Sequence, residues 1–276
     1  MDFIKMQGAG NDFVFVQDIE DKIQNETELA VKLCNRHYGI GGDGLIIVRK
    51  SDKADARMII INKDGSYANM CGNGIRCFGR YVYENGIVKS KKFKVETGDG
   101  IKNIEVITDK NDAVKYIRVF MGKPSFDGKD IPLNGIDKLF NQNVDINGKE
   151  YILTTVLVGV PHTIVIEKDI DFDVEKDGPS IEKFKLFKEG TNVNFVKVIN
   201  NDTIRVRTWE RGAGYTLACG TGCSASAYIS KKLGLVNQNG EINVNAPGGK
   251  LIIEPSDEGI YMKGEAELVF KGKVRI

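Results

Sequence analysis

Two cysteines stand at equivalent places in this sequence. Cys71 lies in Met70-Cys71-Gly72-Asn73-Gly74 and Cys219 in Ala218-Cys219-Gly220-Thr221-Gly222, and 219 − 71 = 148 residues separate them. Each is followed by Gly-x-Gly and then by a run of helical spacing, so each is expected at a helix N-terminus. Backbone N–H groups without intrahelical acceptors, and the positive end of the helix dipole, make a thiol there easier to ionise. The same groups can hold a carboxylate. Two facing lobes would bring the two loops to one cleft. A thiolate on one side can then take the proton from a substrate Cα while a thiol on the other returns a proton to the opposite face. Inversion at carbon needs such a pair, and a thiol pKa of ~8.5 lies within reach of working pH. Backbone donors on the substrate carboxylate would stabilise the charge that develops at Cα.

The elements that must position these loops follow from the pattern. Residues 3–6 and 13–16 read as strands around a Gly-rich turn holding Asn11 and Asp12. Asn25-Glu26-Thr27-Glu28 opens a helix with a capping pattern; Leu29, Ala30, Leu33 and Cys34 share one face, and Gly39 is its expected stop. Residues 45–48 and 58–61 read as strands, and the helix after Cys71 carries Ile75, Phe78 and Val82. Further strands are expected at 93–96, 101–108 and 114–121, then a loop region over 124–147. The second half repeats the plan: strand 151–158, a turn over 159–162, strand 163–166, a short helix from Ser180 to near Gly190, and strands 192–199 and 203–209. The helix after Cys219 is built on small residues, Ala225 and Ala227, and reads as buried. At the 148-residue offset Gly44 meets Asn192, Asn62 meets Glu210, Tyr67 meets Tyr215 and Gly74 meets Gly222; at 149, Gly10 meets Gly159 and Asn11 meets Val160. This is a long internal duplication and not a short-period solenoid.

Composition removes other classes. The chain has 276 residues, 41% hydrophobic and 28% charged, which suits a globular protein of two ordinary domains. A net charge of +1 gives no basic face for nucleic acid. No apolar run is long enough to span a membrane, and the first residues enter a strand pattern with no signal peptide, so a cytoplasmic location is expected. The five cysteines need no disulfides in that compartment. Their spacings fit a structural zinc site poorly, and with two histidines no metal is expected. The Gly-x-Gly pieces are not a dinucleotide fingerprint, so no cofactor is expected either. Cys34, Cys77 and Cys223 lie on helix patterns and read as core thiols.

At these residues the sequence resembles the diaminopimelate epimerases, cofactor-independent amino-acid epimerases that use two cysteines. The resemblance rests on Lys5-Met6-x-Gly8-x-Gly10-Asn11-Asp12-Phe13, Gly39-Ile40-Gly41-Gly42-Asp43-Gly44, Asn62-x-Asp64-Gly65, residues 70–76, Pro161-His162, Asn192 and residues 210–222. It implies an α/β (α+β) fold of two pseudo-symmetric lobes, each a curved, mostly antiparallel sheet wrapped around a central helix. The C-terminal strand returns to the first lobe, giving lobes of 1–118 plus 265–276 and 119–264. It implies a homodimer, and interconversion of LL- and meso-diaminopimelate. Carried over by position, Cys219 is the proton acceptor and Cys71 the donor, and His162 and Glu210 tune the thiols. Asn11, Asn62, Asn192, Glu210 and Arg211 are substrate contacts, with Gly72, Asn73, Gly220 and Thr221 as backbone donors. Two positions depart from the family pattern: Val160 stands where an Asn precedes Pro-His, and Tyr215 where a Glu precedes Thr. Both remove polarity, which keeps open a racemase of another amino acid, such as histidine, with the same two-cysteine machinery.

Overall fold

The computed structural model describes residues 1–275 and divides into two compact units, Met1–Phe120 with Lys263–Ile276, and Met121–Met262. In chain order the first unit holds β1 (Asp2–Gly8), β2 (Asn11–Gln17), α1 (Glu26–Cys34), β3 (Gly44–Arg49), β4 (Ala56–Asn62), β5 (Tyr67–Ala68), α2 (Gly72–Glu84), β6 (Lys92–Thr97), β7 (Gly100–Thr108) and β8 (Val114–Gly122). The second holds β9 (Gln142–Ile146), β10 (Lys149–Val158), β11 (Val160–Ile166), α3 (Val174–Glu182), β12 (Asn192–Asn200), β13 (Thr203–Glu210), β14 (Gly214–Thr216), α4 (Gly220–Lys232), β15 (Ile242–Ala246), β16 (Gly249–Ser256) and β17 (Gly259–Gly264). The last strand, β18 (Glu267–Lys273), pairs antiparallel with β1 in the first unit.

Within each unit the pairing is mostly antiparallel, broken by two parallel pairs: β2–β3 and β4–β6 in the first, β11–β12 and β13–β15 in the second. The central strands of the first unit, β2 and β3, are buried on both faces. Val14, Val16, Leu45, Ile47 and Ile61 pack under Leu29 and Leu33 of α1. The opposite face takes α2: Ile46 and Ile60 lie against Gly74, and Phe15 stacks on Tyr81 at 5.3 Å. That double burial is why these strands read as unbroken apolar runs instead of alternating ones. Ten residues of α2 are buried, with Gly79 letting Ile104 and Ile117 approach to 3.0–3.1 Å of where a Cβ would stand. Arg76, fully buried, donates to the carbonyls of Gly72 (3.1 Å) and Glu265 (3.2 Å), tying the returning C-terminal segment to the central helix. The second unit repeats this with α4 as its central helix, whose Ala225 and Ala227 are fully buried, and α3 on the other face against Trp209 and Phe195.

The duplication extends to the strand register. Leu45 pairs Ile61 and Ile61 pairs Tyr67; 148 residues on, Val193 pairs Trp209 and Trp209 pairs Tyr215 in the same register. Both central helices have 13 residues and both outer helices nine, and each pair starts 148 residues apart.

Four local expectations need correction. The short helix of the second half lies at Val174–Glu182, not from Ser180 onward, because Asp173 caps it by accepting from Glu175 N at 3.0 Å and the helix carries Pro179 within it. Residues 160–162 are strand, not turn, since Gly159 alone (φ +72°) reverses the chain between Val158 and Val160. The 124–147 region contains β9, joined to β10 by Asn147-Gly148, both at positive φ (57° and 79°) as a two-residue hairpin turn requires. Helix α1 ends at Cys34, not Gly39, and Asn25 makes no side-chain cap. The last carbonyls of α1 are taken instead by the loop, with Ile40 and Gly41 donating to Leu33 O and Gly42 to Cys34 O.

Candidate active site

Each cysteine is the N-cap of its unit's central helix. Both have extended backbone (φ −141° for Cys71, −107° for Cys219), and each sulfur accepts from the N–H three residues on, Gly74 or Gly222, at 3.4 Å. Extended backbone at the cap turns Gly72 and Asn73, and Gly220 and Thr221, into the first turn. Their N–H groups have no acceptor within their own helix, which suits them to hold an anion beside each sulfur.

In the first unit a tight hairpin, with Ala9 and Gly10 at φ 52° and 78°, sets Asn11 opposite Gly8 at the start of β2. The Asn11 amide nitrogen donates to Asp43 Oδ2 at 2.7 Å, which fixes the amide's direction because a carboxylate only accepts. Its oxygen then faces Cys71 Sγ and Asn73 Nδ2, each at 3.5 Å. Asp43 is held in turn by Arg36 (3.0 Å), whose guanidinium also grips Asp12 at 2.6 and 3.0 Å, and buried Lys5 completes the cluster on Asp12 at 2.6 Å and on Gly41 O. Burial alone would push the Asp12 carboxyl up, but the bonds from Arg36 and Lys5 outweigh it and hold it well below the usual range. Asn62 ends β4 exposed, its amide on Ser66 Oγ at 3.0 Å.

In the second unit Cys219 is buried, 3.3 Å from Thr221 Oγ1 and against Glu210. Trp209 anchors the end of β13: its indole N–H donates to Glu182 at 2.6 Å and its ring lies where a side chain at Gly178 would stand. Glu210 follows it, accepting from Thr216 Oγ1 at 2.6 Å. Burial raises the Glu210 carboxyl, against the lowering effect of Thr216 and Cys219. Burial, and then the Glu210 charge, push the Cys219 thiol well above its usual value, outweighing the Thr221 and Gly222 bonds. Burial and the Glu210 charge thus work against the ease of ionisation that a helix N-terminus gives the Cys219 thiol. His162, fully buried, has its Nδ1 3.1 Å from Asn194 Nδ2, and burial, with Arg211 second, drops its pKa to about 3. Asn192 braces two chain segments, donating to Pro161 O (3.0 Å) and accepting from Arg211 N (2.9 Å). The Arg211 side chain donates to Glu189 O at 3.0 Å.

The structure thus groups Asn11, Cys71, Gly72 and Asn73 in the first unit. In the second it groups Cys219, Gly220, Thr221 and Glu210 at the cap of α4, and His162, Asn192 and Arg211 along β11, β12 and the turn after β13. Sequence reasoning missed Asp43, Arg36 and Lys5 behind Asn11, and Asn194 and Thr208 behind His162. Asp43 and Lys5 lie inside the motif stretches, whereas Asn194 carries no signal beyond its strand alternation with Asn192. Tyr215 turns to Arg207, its ring 5.1 Å from the guanidinium, and Val160 is exposed beside Gly159. Among the described residues no three of His, Cys, Asp and Glu group as a metal would need, and no helix is long and apolar enough to cross a membrane.

The fold is shared with a Bacillus anthracis phenazine biosynthesis protein of the PhzF family (TM-score 0.72, 17% identity, covering 100% of this chain and 99% of the other). A hydroxyproline epimerase from Agrobacterium vitis also shares it (TM-score 0.66, 12% identity, 99% and 91%). Much nearer in sequence are proteins named diaminopimelate epimerase. Those from Clostridium perfringens (49% identity over 273 residues, 99% of this chain and 98% of the other) and Alkaliphilus metalliredigens (50% over 275, 98% and 96%) match almost end to end. So does that of the archaeon Methanocaldococcus jannaschii, at 42% over 295 residues, 99% and 98%. The diaminopimelate epimerase family model matches residues 3–126 and 154–269, a span that takes in both capping cysteines and every residue of the two clusters around them, and the chain belongs to that family.

Proposed function

We propose that this chain is an isomerase that interconverts LL- and meso-2,6-diaminopimelate, a step of lysine and peptidoglycan-precursor biosynthesis, by moving a proton between two cysteines and one α-carbon without a cofactor. The observation that carries the reading is the pair of cysteine caps: two sulfurs in the same geometry, each beside two helix N–H groups suited to a carboxylate. From the LL side, Cys219 takes the α-proton and its electron pair stays on Cα, spread into the carboxylate. Cys71 delivers its S–H proton to the opposite face. The return reaction exchanges the roles. Cys219 must first lose its own proton, and Glu210 suits this: burial raises its carboxyl, narrowing the gap to the thiol beside it. The substrate ammonium, arriving beside a buried sulfur, lowers the thiol by charge attraction and narrows the gap further. Asn11, Asn62, Asn192, Arg211 and the N–H groups of Gly72, Asn73, Gly220 and Thr221 hold the substrate. The direct assay is chiral analysis of LL-diaminopimelate and of L-histidine after incubation with the purified chain. Formation of meso-diaminopimelate is expected. Racemised histidine with untouched diaminopimelate would replace this reading with the other amino-acid racemase.

The reading carries three further proposals: that residues 1–118 with 265–276 and 119–264 act as the two lobes, that the enzyme works in the cytoplasm, and that it is a homodimer. Leu268, Val269 and Phe270 of β18 are consecutive, apolar and exposed, a stretch that a second copy would cover. Light scattering at the dimer mass is expected, and a monomer at assay concentration would overturn that part.

A further inference from the structure

Asn194 is fully buried on β12, two residues beyond Asn192 and so on the same face of the strand. Its amide nitrogen lies 3.1 Å from His162 Nδ1 and 3.5 Å from the carbonyl oxygens of both Thr163 and Asn192, while its amide oxygen accepts from Thr208 Oγ1 at 3.0 Å. Carbonyl oxygens only accept, so they decide which end of the amide is the NH2: the end turned to His162 is the donor. His162 Nδ1 must then accept, and the one proton of the neutral ring sits on Nε2. An imidazolium would set two donors face to face across that 3.1 Å contact. The amide is not free to turn over, because it is packed against the first turn of α4, where a Cβ at Gly222 would meet Asn194 Oδ1 at 2.3 Å. His162 Nε2 is buried and has no hydrogen-bond partner among the described residues. A buried donor lacking an acceptor calls for explanation, and a ligand that brings the acceptor supplies one.

We propose that Asn194 is a positioning residue that locks His162 in its neutral Nε2–H form, so that His162 serves the site as a hydrogen-bond donor and not as a base. In that form His162 can tune a thiol by donating a hydrogen bond to it. Burial and the Arg211 charge act the same way by keeping the ring neutral. The acceptor that the Nε2–H fits is an oxygen or sulfur that gains negative charge as the α-proton leaves. The tautomer follows from the packing alone; its use in catalysis rests on the two-cysteine reading.

The chain has two histidines, and the other, His37, is exposed, so the ring signals of the two are separable. Ring-nitrogen NMR of the whole enzyme with labelled histidine, at neutral pH, is expected to show His162 with a bare Nδ1 and a protonated Nε2. A proton on Nδ1, or on both nitrogens, overturns the proposal without any variant. Asn194→Asp places an acceptor-only carboxylate opposite Nδ1 and is expected to draw a proton there; a folded variant with the tautomer unchanged shows that Asn194 does not set it. For turnover, His162→Gln keeps an N–H donor but cannot act as a base. It is expected to keep a tenth or more of kcat, while His162→Leu falls about 100-fold, the usual loss for one such donor. Equal loss in both overturns the donor role. A wild-type enzyme with a bare Nδ1 that leaves diaminopimelate unchanged sinks the functional reading and leaves the tautomer standing.

Discussion

Gly222→Ala and Gly74→Ala are the same substitution at equivalent points of the duplication, and their surroundings assign them different costs. At Gly222 the new Cβ meets Asn194 Oδ1 at 2.3 Å and Cys219 Cβ at 3.3 Å; at Gly74 it meets Ile46 Cδ1 at 3.1 Å and Ile60 Cδ1 and Cys71 Cβ at 3.4 Å. The isoleucine methyls end flexible chains and can yield a few tenths of an ångström. The Asn194 oxygen cannot, because Thr208 holds it at 3.0 Å and His162 engages the other end of the same amide at 3.1 Å. Relieving the clash turns the amide and breaks both bonds. Each buried polar group so stranded costs ~1–3 kcal/mol, so Gly222→Ala loses about 2–6 kcal/mol. Alanine's better helix propensity offsets at most ~1 kcal/mol of that. Gly74→Ala meets ~1 kcal/mol of overpacking and gains about the same from propensity, so it comes out near neutral. Both variants keep the backbone N–H that caps the cysteine, which isolates the steric effect. In equilibrium urea unfolding, with a slope of ~1–3 kcal/mol per molar, the midpoint of Gly222→Ala should fall by about 1 M or more while that of Gly74→Ala stays within about 0.5 M. Equal shifts in the two, or an unchanged Gly222→Ala, would refute the packing argument.

Cys71→Ser and Cys219→Ser should each lower epimerisation by ~100-fold or more, since a serine hydroxyl is too weak an acid to share the proton; chiral product analysis reads this, and near-normal turnover in either removes that sulfur from the chemistry. Burial pushes the Cys34 and Cys77 thiols up to about 12, against 9.0 for an ordinary thiol. The stability they contribute is therefore complete below pH ~9 and lost as pH rises toward ~12, at up to about 1.4 kcal/mol per thiol per pH unit. A Cys34→Ala, Cys77→Ala double variant should flatten the alkaline fall of the urea midpoint, and an unchanged slope counts against this. Arg36→Gln removes the cation that holds Asp12 and Asp43. Because the Asp12 carboxyl is held low when folded, its contribution is present above its unfolded value of 3.8 and lost as pH falls below it, so the variant should lose less stability in acid. The same variant frees Asn11 and should lower kcat/KM about tenfold. An acid profile like that of the wild type would show that Arg36 does not set Asp12.

Much of this was legible in the sequence because a duplication states each rule twice. Both caps and both central helices followed from Cys-Gly-x-Gly and from apolar spacing. The place of helix α3 is contained in the repeat, since shifting Glu26–Cys34 by 148 residues gives Val174–Glu182. Pro179, a residue disfavoured within helices, masks this helix locally, and the register of the repeat is the stronger constraint. Asn147-Gly148 is a hairpin signal set in a stretch whose Gly and Asn content otherwise reads as loop. What no pattern could show is the layer behind the site. Asp43 directs Asn11, and Asn194 directs His162, through contacts between residues 32 positions apart in each case. The burial and the Glu210 charge that push the Cys219 thiol up are also out of reach of sequence, where only the favourable helix end is visible.

Inversion by two sulfurs makes a specific demand on the isotope label. With LL-diaminopimelate in deuterated water and sampling early in the reaction, the proton removed goes to one sulfur and the proton delivered comes from the other, which has already exchanged with solvent. The meso product should therefore carry deuterium at its inverted α-carbon while recovered LL substrate stays unlabelled. Product that retains its original hydrogen, or label entering recovered substrate as fast as product, would mean a single base serves both faces and would contradict the roles given to Cys71 and Cys219.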